Sequence, residues 1–182
     1  MVLYENSHFP VLSAGQNGCR ILTGSTWQLP ASASEYVLTD RSEPELYPQL
    51  KQLADKLGPK LLVAECWKNL LPEAGLLISA QISGGTLQDR LREAVSSAPG
   101  RCWLYPEPMS HFLPLPCPDG QPEPVSIEAD RFPQTFFSEE FCCRYAHSMT
   151  PPGLYLFDTP ETLQRKLQLA QCTGLVGAVL PP

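Results

Sequence analysis

The chain has 182 residues, 43% of them hydrophobic and 18% charged, enough to bury one hydrophobic core. A formal net charge of -6, with Lys and Arg scattered along the chain, offers no basic surface for phosphate backbones and argues against a nucleic-acid partner. No apolar run approaches the ~20 residues that span a bilayer, so no membrane partner is expected either.

The first twelve residues include Glu5, His8 and Pro10 and lack the basic start and apolar run of a secretory signal. Cys19, Cys66, Cys102, Cys117, Cys142, Cys143 and Cys172 are odd in number and stand mostly in apolar surroundings. That pattern predicts reduced thiols used as small core residues, and a cytoplasmic chain. No C-x-x-C pair occurs. Cys143 and His147 stand four apart on a predicted helix, a spacing that chance supplies. No metal and no cofactor are expected.

In chain order, Phe9 to Ala14 and Cys19 to Thr23 are short β-prone runs around Gln16-Asn17-Gly18, which predicts an N-terminal hairpin. Leu29 to Ser34 connects it to the rest. From residue 35 strands alternate with helices. Tyr36 to Leu38 is an apolar strand ending at Asp40; Ser42 is the expected cap of a helix with Leu46, Leu50, Leu53 and Leu57 at helical spacing, closed by Gly58-Pro59. Leu61 to Ala64 is a strand ending at Glu65, and Leu76 to Ile82 is another. Ser83-Gly84-Gly85-Thr86 leads into a helix over 87–95 with Thr86 as its cap. Cys102 to Tyr105 is a strand ending at Pro106-Glu107.

Residues 105–124 hold seven of the 20 prolines. Proline cannot donate to a ladder, so residues 105–128 read as edge strand or polyproline conformation, an arm outside the main sheet, with Val125 to Ile127 returning as its partner. No P-x-x-P spacing occurs for an aromatic-lined groove. Ser138-Glu139-Glu140 predicts a further helix to about His147. Leu154 to Phe157 is a strand ending at Asp158, followed by a capped helix through Ala170 and a last strand over 175–180. The expectation is an α/β fold in one domain, 1–182, with a hairpin and connector over 1–34 and a core over 35–182. Its sheet is mainly parallel with flanking helices, open or closed into a small or incomplete (β/α) barrel.

Residues 153–181, GLYLFDTPETLQRKLQLAQCTGLVGAVLP, resemble the closing strand-helix-strand unit of chitinase-like glycoside hydrolases of family 18. There a strand ends in Asp, a Pro-Glu-capped helix follows, and the next strand begins after a Gly. The resemblance implies barrel-like geometry. The D-x-x-D-x-D-x-E strand of that family is absent, so no catalytic residue carries over, and the chain is short for a barrel of ~250 residues.

Asp40, Glu65, Glu107 and Asp158 each end an apolar strand. In parallel α/β structures ligands bind beyond the carboxyl ends of strands, so these four are the candidate acid, base or ligand-binding groups. Gly84, Gly85 and Thr86, at a helix start, are candidate ligand-binding residues through backbone N–H groups. The competing assignment is structural: Asp158 and Asp40 fix a cap and a turn, while Glu65 has no cap to make. Trp27, Trp67 and Trp103 are either a sugar platform or core. His8, His111 and His147 lie far apart, and no G-x-S-x-G, phosphate-binding P-loop or H-E-x-x-H motif occurs. The sequence therefore favours a non-catalytic interaction or structural module, a barrel-derived remnant meeting another protein or a second copy of itself through a sheet edge or the Pro-rich arm. The alternative is a small-molecule or carbohydrate-binding, hydrolase-like domain that uses the strand-end carboxylates.

Overall fold

The structure, a computed structural model, describes residues 9–16, 18–22, 35–82, 84–116, 122–128 and 131–182. Seven strands form the main sheet: β1 (Val11–Ser13), β2 (Cys19–Ile21), β3 (Tyr36–Thr39), β4 (Leu61–Ala64), β5 (Gly75–Ser79), β6 (Cys102–Tyr105) and β12 (Gly177–Leu180). Their order is β1-β12-β6-β5-β4-β3-β2, and every neighbouring pair is parallel. β3 to β6 and β12 are apolar on both faces because both faces are covered, as the strand-helix alternation predicts.

The two edges of this sheet nearly meet. β1 lies at one edge and β2 at the other, yet only Ala14 to Gly18 separate them, a link that reaches at most about 20 Å. The link folds tightly, with Gly15 N–H donating to Cys19 O and Cys19 N–H to Gln16 O, both at 2.9 Å. It is too short for a parallel crossover, which needs a dozen residues or more. β1 and β2 are thus successive pieces of one barrel stave. The predicted hairpin is corrected accordingly: its halves share one antiparallel bridge, Gln16 to Cys19, and their ladders run to opposite partners. Asn17 of the expected turn lies outside the described residues.

Strand alternation divides the core. Leu38, Leu62, Leu77, Trp103 and Val179 point into the barrel. Val37, Leu61, Val63, Leu76, Ile78 and Leu104 point outward, against α1 (Tyr47–Leu57), α2 (Leu87–Ser97) and α3 (Pro160–Thr173). Helix ends follow local chemistry. Thr86 Oγ1 accepts the Asp89 N–H at 3.1 Å, as expected, and α3 opens on a reciprocal Thr159–Thr162 capping box. Ser42 does not cap α1; a 3-10 turn over Pro44–Leu46 precedes it instead. The shape of the interior is set by Trp103, which is 3% exposed and lies edge-on to Tyr36 with ring centroids 5.3 Å apart. Gly177 is its partner on the next strand, where a side chain would collide with the indole.

Five further strands form a second, antiparallel sheet between β6 and α3: β7 (Ser110–Pro114), β8 (Glu123–Pro124), β9 (Phe136–Ser138), β10 (Cys143–Met149) and β11 (Pro152–Phe157), in the order β8-β7-β11-β10-β9. The Pro-rich arm lies outside the main sheet as expected, and Val125 returns to it, its N–H bonding Ser110 O at 3.0 Å. But β7 is neither an edge strand nor polyproline, because β11 pairs on one side of it and β8, at Glu123–Pro124, on the other, its prolines standing at or beyond its end. Two further expectations fail here. Residues 138–147 are not a helix: β10 pairs with β11 on one side and β9 on the other, and Cys142 adopts a left-handed φ of 52° just before it. Two-sided pairing overrides local helical preference. Residues 154–157 do form a strand, but one set antiparallel between β7 and β10, not in the parallel sheet.

Gly177→Ala tests the barrel interior. An added Cβ would sit 2.5 Å from Trp103 Cζ3 and 2.7 Å from Pro10 O. The expected loss is ~1–3 kcal/mol, read as a lower urea midpoint at unchanged slope. A midpoint equal to that of the parent chain would mean the interior is not closely packed around Trp103.

Candidate functional site

The four strand-end acids separate according to the parity of their strands. On β4, Leu62 faces inward, so Leu61, Val63 and Glu65 face outward. Glu65 there meets Arg90 of α2 in a two-pronged ion pair. That pair ties α2 to the outer wall of the barrel.

Asp158 lies outside the barrel altogether. One carboxylate oxygen accepts the Met109 N–H at 2.8 Å and Lys166 Nζ at 2.6 Å, and the other accepts the Thr162 hydroxyl at 2.8 Å. Its own N–H donates to Met109 O at 2.9 Å. Met109 directly precedes β7 and Asp158 directly follows β11. The side chain therefore clasps the two crossings between barrel and second sheet and anchors both to α3. The helix cap expected of Asp158 belongs to Thr159. Lys166 is 1% exposed and Asp158 carries the charge that balances it.

Asp40 and Glu107 follow the carboxyl ends of β3 and β6, and both lie near enough to Tyr105 for their charges to act on its phenol. Asp40 continues the inward parity of Tyr36 and Leu38, and Glu107 that of Trp103 and Tyr105. Ser79, inward on β5, donates its hydroxyl to Glu107 Oε2 at 2.6 Å. Burial pushes the Tyr105 phenol above its ordinary pKa, and the charges of Asp40 and Glu107 push it further the same way. Its hydroxyl therefore stays a neutral donor beside two carboxylates. Neither acid forms an ion pair with a cation among the described residues; Arg41, next in the chain, turns to Glu43 at 3.1 Å. Deeper in, burial raises the Cys19 thiol to about 11, with Glu35 adding to it. The carboxyl end of the barrel thus carries two acceptors, a tethering serine and a phenol donor above the Trp103 indole. Ser79 and Tyr105 were missed from sequence, although stepping by two from Leu77 and Trp103 would have reached both.

Gly84 and Gly85 are exposed. Thr86 is committed to its cap, and the Leu87 N–H, next in line, donates to Glu140 O at 2.8 Å. Ser83 lies outside the described residues, as do Trp27 and His8. Trp67 is core, its indole N–H bonding Arg41 O at 2.8 Å. Cys143 and His147, being on a strand, stand about 13 Å apart along it, beyond the reach of one metal ion. Among the described residues no group of three or more His, Cys, Asp or Glu is placed to hold a metal, and no helix is long and apolar enough to cross a membrane.

No protein-family model matches the chain, and no curated protein matches it in sequence. Among solved structures it is similar to the spore cortex-lytic enzyme SleL of Bacillus megaterium QM B1551, with a TM-score of 0.50 at 15% identity over 74% of this chain and 41% of that one. SleL of Bacillus cereus gives a TM-score of 0.50 at 10% identity, over 80% of this chain and 44% of that one. The chain spans less than half the length of either enzyme. At such identities the likeness is one of fold: a mainly parallel, nearly closed barrel.

The clasp and the cap make opposite predictions for Asp158. As a clasp, Asp158→Ala strands a buried ammonium and should cost ~3–5 kcal/mol in urea unfolding. Asp158→Asn should cost nearly as much, because the amide cannot balance Lys166, and Lys166→Met in that background should recover much of the loss. A near-neutral Asp158→Asn would return the residue to a capping role.

Proposed function

We propose that the chain is a non-catalytic, barrel-derived domain that binds a carbohydrate at the open carboxyl end of its barrel. The observations that carry this reading are the Ser79–Glu107 hydrogen bond and the nearness of both Asp40 and Glu107 to the Tyr105 phenol. Sugar hydroxyls both donate and accept. Asp40 and Glu107 accept from them, and the neutral phenol of Tyr105 donates. The half-buried ring of Tyr105, which ends β6 at this side of the barrel, supplies the apolar contact that the C–H face of a sugar needs.

Two further considerations support the ligand class. The fold is similar to that of enzymes described as lytic toward the spore cortex, and residues 153–181 resemble part of a glycoside hydrolase barrel. Binding without cleavage is favoured because the acidic catalytic strand of that family has no counterpart in the sequence. Gly84, Gly85 and Thr86 have no part in this site. A reducing, cytoplasmic setting fits the free thiols of Cys19, Cys66, Cys102, Cys142, Cys143 and Cys172.

Titration calorimetry with N-acetylated chitotriose and cellotriose tests the proposal. Asp40→Asn and Glu107→Gln should each weaken binding about tenfold, the loss of one well-placed polar pair. No reducing ends should appear on prolonged incubation. Unchanged affinity in both variants would remove the barrel opening as the site, and release of reducing ends would make the domain an enzyme.

A second reading, contact with another protein through the Pro-rich arm, is favoured by one observation. Met149 is 87% exposed and Leu115 47%, and both meet Pro152 at the same end of the second sheet. If that end holds a second copy, sedimentation should show a dimer that Met149→Ser together with Leu115→Ser dissolves. A monomer at all concentrations would leave self-association without support.

A further inference from the structure

A separate concavity of about 660 Å³ lies on the second sheet, and none of its lining residues belongs to the barrel opening. Strand pairing builds its floor: Arg144 stands directly opposite Phe157 on β11, with Phe137 on the other side of it on β9. Phe157 is buried, and Phe132 stacks over it with centroids 5.6 Å apart and 20° between the planes. Phe132 and Thr135 form one wall, and the first turn of α3, Thr159 to Glu161, forms the other. Spaces of ~300–1,000 Å³ accept small molecules and short oligomers.

The polar groups are matched in sign. Arg144 Nη2 donates to Glu161 Oε2 at 2.8 Å, and Arg165 donates to Glu161 Oε1 at 3.2 Å while lying 4.4 Å over the Phe137 ring. The hydrogen bond from Arg144, with the Arg144 and Arg165 charges, holds the Glu161 carboxyl below its usual range, so it remains an acceptor in mild acid. Arg165 does not line the space, so a ligand here meets one guanidinium donor, Arg144, and one carboxylate acceptor, Glu161, side by side, next to an aromatic plate and two threonines. An anion would face Glu161 and a cation would face Arg144. Adjacent hydroxyls on a ring, each a donor and an acceptor, satisfy both.

We propose that this groove binds a neutral saccharide, one ring lying against Phe132 and its vicinal hydroxyls shared between Arg144 and Glu161. The site is independent of the one at the barrel opening and does not rest on it.

Calorimetric titration of the whole chain with cellotriose and N-acetylated chitotriose provides the test. Fully deacetylated chitotriose serves as the cationic comparison and trigalacturonate as the anionic one. In a chain carrying both Asp40→Asn and Glu107→Gln, which isolates the groove, the neutral sugars should still bind. Arg144→Ala, Glu161→Gln and Phe132→Ala in that background should each weaken them about tenfold. Arg144 and Glu161 are surface residues, so their variants should keep the parent melting curve. If Phe132→Ala melts early, Phe132→Leu keeps the packing and still removes the flat ring. The proposal is overturned if the isolated groove binds neither neutral sugar, if the three variants bind as their parent does, or if a charged trisaccharide binds more tightly than the neutral ones. Loss of all binding in the double variant would remove the groove and leave the barrel opening as the site. Wild-type affinity in that variant, lost only through groove substitutions, would do the reverse.

Discussion

The nearly closed barrel is built around one large side chain. Trp103 occupies the interior between β5 and β12, and each neighbouring strand presents a glycine where it passes the indole: Gly75 on one side and Gly177 on the other. Interiors pack at crystal-like density, so a barrel this narrow cannot hold a tryptophan and full side chains on both flanks. The register of β6 against its neighbours follows from that fit. So does the placement of everything two residues further along, since Tyr105 and then Glu107 emerge at the opening because Trp103 fills the centre.

The second constraint is how an antiparallel sheet of five strands is inserted without prying the barrel open. Leaving the barrel after β6 and rejoining it at α3 brings Met109 and Asp158 together, and three hydrogen bonds plus an ammonium fasten that point. A buried ion pair is not by itself a source of stability, because desolvation offsets attraction. Its value here lies in position. Alternatives that separate Asp158 from Lys166 leave a charge in an apolar seam, which narrows the ways the sheet can sit on the barrel.

Much of this was legible from residue pattern alone. Runs such as Leu61 to Ala64 and Cys102 to Leu104 are apolar at every position, which fits only strands covered on both faces, and the capping residues around Thr86 and Thr159 marked two helices. What misled was the stretch from Ser138 to His147, where Ser-Glu-Glu imitates a helix start. Its actual conformation depends on β9 and β11, and no local signal reports such partners. The acids at strand ends were visible as a class. Which of them face the same way depends on whether each is an even or an odd step from an inward residue: Glu65 is three steps beyond the inward Leu62, whereas Glu107 is two beyond Tyr105. The groove beside α3 was not legible at all, because Arg144 and Glu161 are joined only by the antiparallel pairing that the pattern missed.

The split first stave has a consequence for the order of assembly. β1 precedes the other strands of the sheet in the chain, but its partner is β12, so Val11 waits for Ala178 before its ladder can form. β2 can pair with β3 long before that. Closure is therefore the most non-local event in the chain and belongs late in folding, since bringing distant segments together costs chain entropy before any contact repays it. Until then the flank of β12 is an open parallel edge, the kind of surface that recruits strands from other chains. A nascent chain halted before residue 177 would hold α1, α2, α3 and the second sheet yet leave β6 uncovered. Aggregation, not partial function, is the expected fate of such truncated products.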